Sequence, residues 1–152
     1  MNGDNVDFLI FKLNDELFGI ELKKTSEVIK YDMDFTRIPG ELEWIKGAIN
    51  LRNNIVPVVD LKERLGLWDR RVHRDDKELE PALTSNGHAM ILVAKVDNEA
   101  VGFIIDEVKD LHQVSRLQIE EIKNRDLLRE GCFSGLALME NNLVKLLNVE
   151  NI

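Results

Sequence analysis

Residues 45–65 read IKGAINLRNNIVPVVDLKERL, and the punctuation of this stretch decides the fold class. The apolar run Gly47-Ala48-Ile49-Asn50-Leu51 meets Arg52-Asn53-Asn54, and a second run, Ile55-Val56-Pro57-Val58-Val59, follows at once. Asparagine is one of the few residues that tolerate a positive φ, so Asn53-Asn54 between two apolar runs predicts a tight hairpin turn. Arg52 stands beside that turn, where its charge needs water or a partner. Pro57 has no N–H to donate, which predicts a strand at a sheet edge or one carrying a bulge. Asp60 is placed to cap a short helix over residues 61–65, which Gly66 ends.

The same grammar continues on both sides. Leu9, Phe11 and Leu13 alternate with Ile10 and Lys12, the period-two signature of a strand, and after the turn Asn14-Asp15-Glu16 residues 17–22 return as its partner. Thr25 or Ser26 is a cap for a short helical segment burying Val28 and Ile29. Residues 32–35 read as a polar loop, and Thr36-Arg37-Ile38-Pro39 as extended chain, because the residue before proline avoids the helical region. Further on, residues 89–96 and 100–108 flank Asp97-Asn98-Glu99, and residues 133–139 and 143–147 flank Glu140-Asn141-Asn142. Between them, residues 114–122 carry Leu117, Ile119 and Ile122, and residues 123–130 are charged. Periodicity fails over residues 68–88, where acids, bases, Pro81, Asn86 and Gly87 dominate, so this reads as an exposed connection, longer than most compact loops. The sum is about eight to ten short strands with two small helices and no βαβ alternation, an all-β barrel or sandwich.

Composition narrows the function. A chain of 152 residues suits one domain, here taken as 1–152, able to bury roughly 68–70% of its unfolded surface. No apolar run approaches the ~20 residues of a membrane span, and MNGDNVDF lacks the basic start of a secretory signal. One cysteine, Cys132, excludes an internal disulfide and fits a reducing cytoplasm. A net charge of −8 argues against nucleic acid and anionic membrane surfaces. An oligonucleotide-binding barrel is the alternative of a different class, but the 6% aromatic content shows no basic-aromatic interleaving for base stacking.

Catalysis finds no constellation. His73, His88 and His112 are scattered and read as solvated surface residues rather than general bases. No His-Cys or Cys-Cys spacing supports a metal site, and the glycines form no phosphate-cradling loop. Ser134 lacks the preceding glycine of a nucleophile elbow, and Cys132 reads as a packed strand residue. Neither an enzyme activity nor a cofactor is expected.

GAINLRN followed by NIVPVVDL resembles the hallmark of the CheW family of chemotaxis coupling proteins, a Gly-x-Ile-Asn-Leu-Arg-Gly turn before an apolar strand with a central proline and Asp-Leu. Phe18-Gly19-Ile20 and Glu27-Val28-Ile29 resemble the family's first hairpin and the segment after it, and Ile38-Pro39 its entry into the hallmark. VGFIIDEV at residues 101–108 is similar to its second Gly-x-x-x-Asp-x-Val strand, and residues 131–147 to its closing hairpin. Three departures stand out: Asn53 for the turn glycine, Leu146-Leu147-Asn148 where Leu-Leu-Asp is commoner, and the long polar segment 68–88.

The resemblance implies two small five-stranded SH3-like barrels intertwined in one domain, with an apolar groove between them. It implies a cytoplasmic, non-catalytic adaptor working at membrane-proximal receptor arrays. Its expected partners are the cytoplasmic tip of methyl-accepting chemoreceptors and the regulatory domain of a CheA-type histidine kinase. A non-flagellar circuit, serving pilus motility or gene regulation, is the alternative within the family. The candidate receptor- or kinase-binding residues are Glu27, Arg52 and Asn53, with Glu27 and Arg52 expected to pair, together with Val101, Phe103 and Ile105 or their alternates Gly102, Ile104 and Asp106.

Overall fold

A computed structural model describes residues 5–31, 35–37, 45–67, 89–121 and 132–152. The expected connection at 68–88, the charged stretch 123–130, Ile38-Pro39, Ile122, His73 and His88 lie outside these residues. The described residues fall into two compact units, one drawn from Met1–Thr25 and Val108–Ile152, the other from Ser26–Glu107.

The first unit contains a six-stranded sheet built from β1 (Asn5–Leu13), β2 (Glu16–Glu21), β9 (Glu107–Ser115), β10 (Ile119–Glu121), β11 (Phe133–Met139) and β12 (Asn142–Leu147), in the order β10-β11-β12-β2-β1-β9. The second holds β3 (Thr25–Lys30), β4 (Phe35–Arg37), β5 (Ile45–Leu51), β6 (Asn54–Asp60), β7 (Met90–Val96) and β8 (Glu99–Ile105), in the order β3-β7-β8-β6-β5-β4. The all-β expectation holds. Each sheet has one strand beyond the expected five, and in each a three-residue strand, β10 or β4, lies at one edge.

The two sheets follow one plan. In each, two antiparallel hairpins are joined by a parallel pairing of their second strands: β2 with β12 in the first, β6 with β8 in the second. All four hairpins close through two residues of positive φ, namely Asn14-Asp15, Arg52-Asn53, Asp97-Asn98 and Glu140-Asn141. Two consecutive positive φ values are the mark of a type I′ turn, whose twist matches that of the strands it joins.

Each sheet curls around its own core. In the first, Phe8 and Ile10 on β1, Val114 on β9, Met139 on β11 and Val144 and Leu146 on β12 form one buried cluster, with Ile119 of β10 packed against it. In the second, Ile49 and Leu51 on β5, Val56 and Val58 on β6, Ile91 and Val93 on β7 and Ile104 on β8 do the same, with Ile29 of the edge strand β3 packed against them. The central strands are also buried on their other faces. Leu13 and Phe18 are fully buried in the first sheet, and the Phe18 ring stacks on Phe11 and Phe133 with centroids 6.0 and 6.1 Å away.

Four local expectations change. Residues 100–108 are not one strand: β8 ends at Ile105, and Glu107 opens β9 of the other sheet. The turn of the deciding hairpin is Arg52-Asn53, one residue earlier than expected, because Leu51 pairs with Asn54 and Asn54 opens β6. β6 is a central strand, not an edge; the register shift lies in β5 between Ile45 and Gly47, and the parallel register with β8 starts at Val58, one residue after the proline. Residues 25–30 are strand β3 and not a helix, preceded by a single 3-10 turn over Leu22–Lys24. Thr25, Val28 and Ile29 are β-branched, and beside β7 the extended chain gains ladder partners that a one-turn helix lacks. The helix α1 (Leu61–Arg64) forms where expected: Asp60 Oδ1 accepts the Glu63 N–H at 3.3 Å, and Gly66, at φ 73°, takes the chain out.

Candidate functional site

The site grows out of the Arg52-Asn53 turn. Leu51 is buried and anchors the end of β5, so the chain must reverse immediately, and Arg52 enters the left-handed region at φ 50° with Asn53 at 68°. The side chain of Asn50 steadies the reversal, its Oδ1 accepting the Asn53 N–H at 2.9 Å. A side chain at such a turn projects from the sheet, and that of Arg52 is 71% exposed.

Glu27 reaches it from the opposite edge of the sheet order. β3 lies at one end and β5 near the other, so the pair forms because the sheet curls until its ends approach. The guanidinium donates through both terminal nitrogens, Nη1 to Glu27 Oε1 at 3.4 Å and Nη2 to Oε2. This fork-on-carboxylate contact fixes the plane of the guanidinium as well as its position. The hydrogen bond and charge of Glu27 raise the Arg52 pKa further above its already high ordinary value, so the cation is permanent. Beside it Ile55, paired with Asn50 across the hairpin, is 82% exposed. The surface therefore offers a held cation flanked by bare aliphatic area and the amide of Asn53.

Ile55 escaped the sequence reading, which took it as one more member of an apolar run. The signal was its parity: Val56 and Val58 face the core, and Ile55 stands on the alternate face.

The candidates on β8 sit elsewhere. Gly102 and Ile104 face the core, and a Cβ on Gly102 would lie 2.7 Å from Ile91 Cγ2. Val101, Phe103 and Ile105 thus occupy the other face, where Phe103 and Ile105 are buried and Val101 is half-buried. The structure brings Glu27, Arg52 and Asn53 together, while the β8 residues belong to the middle of the sheet.

A second charged group lies around α1. Lys62 meets Asp106 at 2.9 Å, largely shielded from water, and Lys46 meets Glu63 at 2.7 Å, partly exposed. Asp60 is 1% exposed, and its Oδ2 is buried without a hydrogen bond among the described residues. Burial pushes its carboxyl up, outweighing the Glu63 N–H and the nearby Lys46 and Lys62. Among the described residues no group of His, Cys, Asp and Glu could hold a metal ion, and no helix is long and apolar enough to cross a membrane.

The CheW-like domain family matches this chain over residues 7–152. The chain belongs to the CheW family. Among its CheW relatives, the chemotaxis protein CheW of Klebsiella aerogenes is 26% identical over 147 residues, covering 96% of this chain and 80% of the relative. That of Bacillus subtilis is 30% identical over 112 residues, covering 74% and 63%. The crystal structure of the scaffolding protein TtCheW from Thermoanaerobacter tengcongensis superposes with a TM-score of 0.79 at 26% identity, over 94% of this chain and 88% of that one. The CheW resemblance read from the hallmark segment and the all-β fold it implied are both met.

Proposed function

We propose that this CheW-like protein is a non-catalytic chemotaxis scaffold in the cytoplasm, coupling the helical tip of a chemoreceptor to a CheA-type histidine kinase. The observation that carries the reading is the Arg52–Glu27 pair on a positive-φ turn beside exposed Ile55, in a chain whose relatives are chemotaxis CheW proteins. An ion pair this exposed adds little to stability, so folding alone is a weak reason for placing arginine at a strained turn position. A cation held in a fixed plane, with aliphatic surface next to it, suits a partner helix that offers a carboxylate alongside an apolar stripe.

Scaffolding needs no reaction. Holding receptor and kinase together raises the effective concentration of each for the other, and a change in receptor state alters kinase state through the shared complex. Glu27, Arg52 and Asn53 form the proposed recognition surface. Of the β8 candidates, Val101 is the half-buried one, while Phe103 and Ile105 on the same face are buried.

The experiment is calorimetric titration against the regulatory domain of a CheA-type kinase and, separately, a receptor-tip fragment, each with Arg52→Ala as the parallel sample. Micromolar binding to both partners, with the variant losing affinity for the receptor fragment, is expected. Binding to neither partner would remove the scaffold reading.

A further inference from the structure

The four hairpin turns reach matching dihedrals. Their first residues, Asn14, Arg52, Asp97 and Glu140, lie at φ 50–54°, and their second, Asp15, Asn53, Asn98 and Asn141, at 68–70°. They differ in the residue two places before the turn, which is Lys12, Asn50, Lys95 or Leu138. An ammonium only donates and a leucine side chain neither donates nor accepts, so three of the four cannot take a backbone N–H. Lys12 reaches a side chain instead, Asp15 Oδ1 at 3.6 Å. Asn50 Oδ1 accepts the Asn53 N–H at 2.9 Å, and the ring this bond closes runs through Arg52.

Three turns hold the same dihedrals with no acceptor at that position, so the reversal itself does not require one. The strand does not call for asparagine either, a residue depleted in strands. Asn50 is exposed, opposite exposed Ile55, and fills no core position. The need lies with Arg52. A short polar side chain, such as that of Asn14 or Asp97, can offset a left-handed backbone by bonding locally. Arg52 directs its guanidinium to Glu27, and the local bond comes from Asn50. Glu140, the other long side chain at a first position, has only Leu138 behind it.

We propose that Asn50 is a positioning residue for Arg52: its bond to the Asn53 N–H locks the turn that carries the guanidinium, and so tunes affinity for the carboxylate-bearing receptor helix without touching that helix. This rests on the reading of Arg52 as a recognition residue. The hairpin folds with or without the bond; the bond narrows the directions in which the cation is offered, which lowers the cost of ordering it on binding.

The test has two arms on the full chain. In the free protein, hydrogen exchange of the Asn53 amide should be slower than that of the Asn141 amide, and Asn50→Ala should speed it about two- to tenfold, the range spanned by one hydrogen bond. The Arg52 Nε–H resonance should move in the same variant toward that of free arginine. In calorimetric titration with a helical receptor-tip fragment, Asn50→Ala should weaken binding about two- to tenfold. Added to Arg52→Ala, it should cost nothing further, because it acts through that side chain. Lys95→Ala, at the matching position of the Asp97-Asn98 turn, should bind as the parent does. A parent chain that does not bind, or affinity unchanged in Arg52→Ala, removes the recognition reading and this proposal with it. Affinity lost in Arg52→Ala but kept in Asn50→Ala overturns this proposal alone, as do two single losses that multiply in the double variant. If Arg52→Ala abolishes binding, the Arg52 resonance decides, and one that stays in place in Asn50→Ala overturns the proposal.

Discussion

Asn53 holds a φ of 68° at a position where the family hallmark carries glycine, and the strain of that substitution is local. Its contribution to the turn, an N–H donated to Asn50, belongs to the backbone and survives replacement. Asn53→Gly is therefore expected to raise stability by about 0.5–1 kcal/mol in urea unfolding, with the unfolding slope unchanged. Asp60 makes the opposite kind of statement. Its carboxyl titrates above the ordinary 3.8 in the folded chain, so as pH rises the unfolded chain releases that proton first. Between the two values the native state binds more protons, and its stability falls with rising pH; the contribution is full below 3.8 and lost through the folded value. Asp60→Asn keeps a capping oxygen and removes the titration. The stability difference, variant minus parent, should climb from pH 3 upward at no more than about 1.4 kcal/mol per pH unit and then level off. A flat difference would show that the buried carboxyl is not the cause. The pairing of Arg52 with Glu27 was expected from the family resemblance, but nothing in the residues' own pattern gives that meeting. It depends on the closure of a sheet whose strand order no local pattern encodes.

At the scale of elements, alternation and turn residues located all four hairpins, because period two and Asn/Asp pairs are local signals. What they missed was set by neighbours. Pro57 reads as an edge marker, yet β6 is central because its parallel partner begins pairing only at Val58. Residues 25–30 read as helix because a capping residue precedes two apolar ones, yet β7 recruits them as strand. Gly135 shows how close such neighbours come. It lies at the register shift of β11, and a Cβ there would sit 2.7 Å from the Glu120 carbonyl oxygen of β10. That obstacle is backbone and cannot rotate away. Gly135→Ala should cost about 1–3 kcal/mol in chemical denaturation and raise amide exchange at Ile119–Glu121 ahead of the rest of the sheet.

Over the whole molecule, the first unit is assembled from the two ends of the chain. β12 lies between β11 and β2, and its pairing joins Val144–Leu146 to Leu17–Gly19 in parallel. Ending the chain at Asn141 removes the strand that joins the two hairpins. Protection from exchange should then vanish over residues 5–21 and 107–121 and persist over β5–β8, since these four strands lie wholly within Ser26–Glu107. The reuse of one hairpin plan in both sheets has a consequence for addressing. Four turns of the same backbone shape face the solvent, and geometry alone gives a partner no means of choosing among them. Three carry one acid each, in Asn14-Asp15, Asp97-Asn98 and Glu140-Asn141; Arg52-Asn53 is the basic one. In a chain of net charge −8, the recognition proposed for Arg52 would disfavour the three acidic corners for an acidic visitor and favour the fourth, and under that proposal a single arginine is the label that tells otherwise identical doors apart.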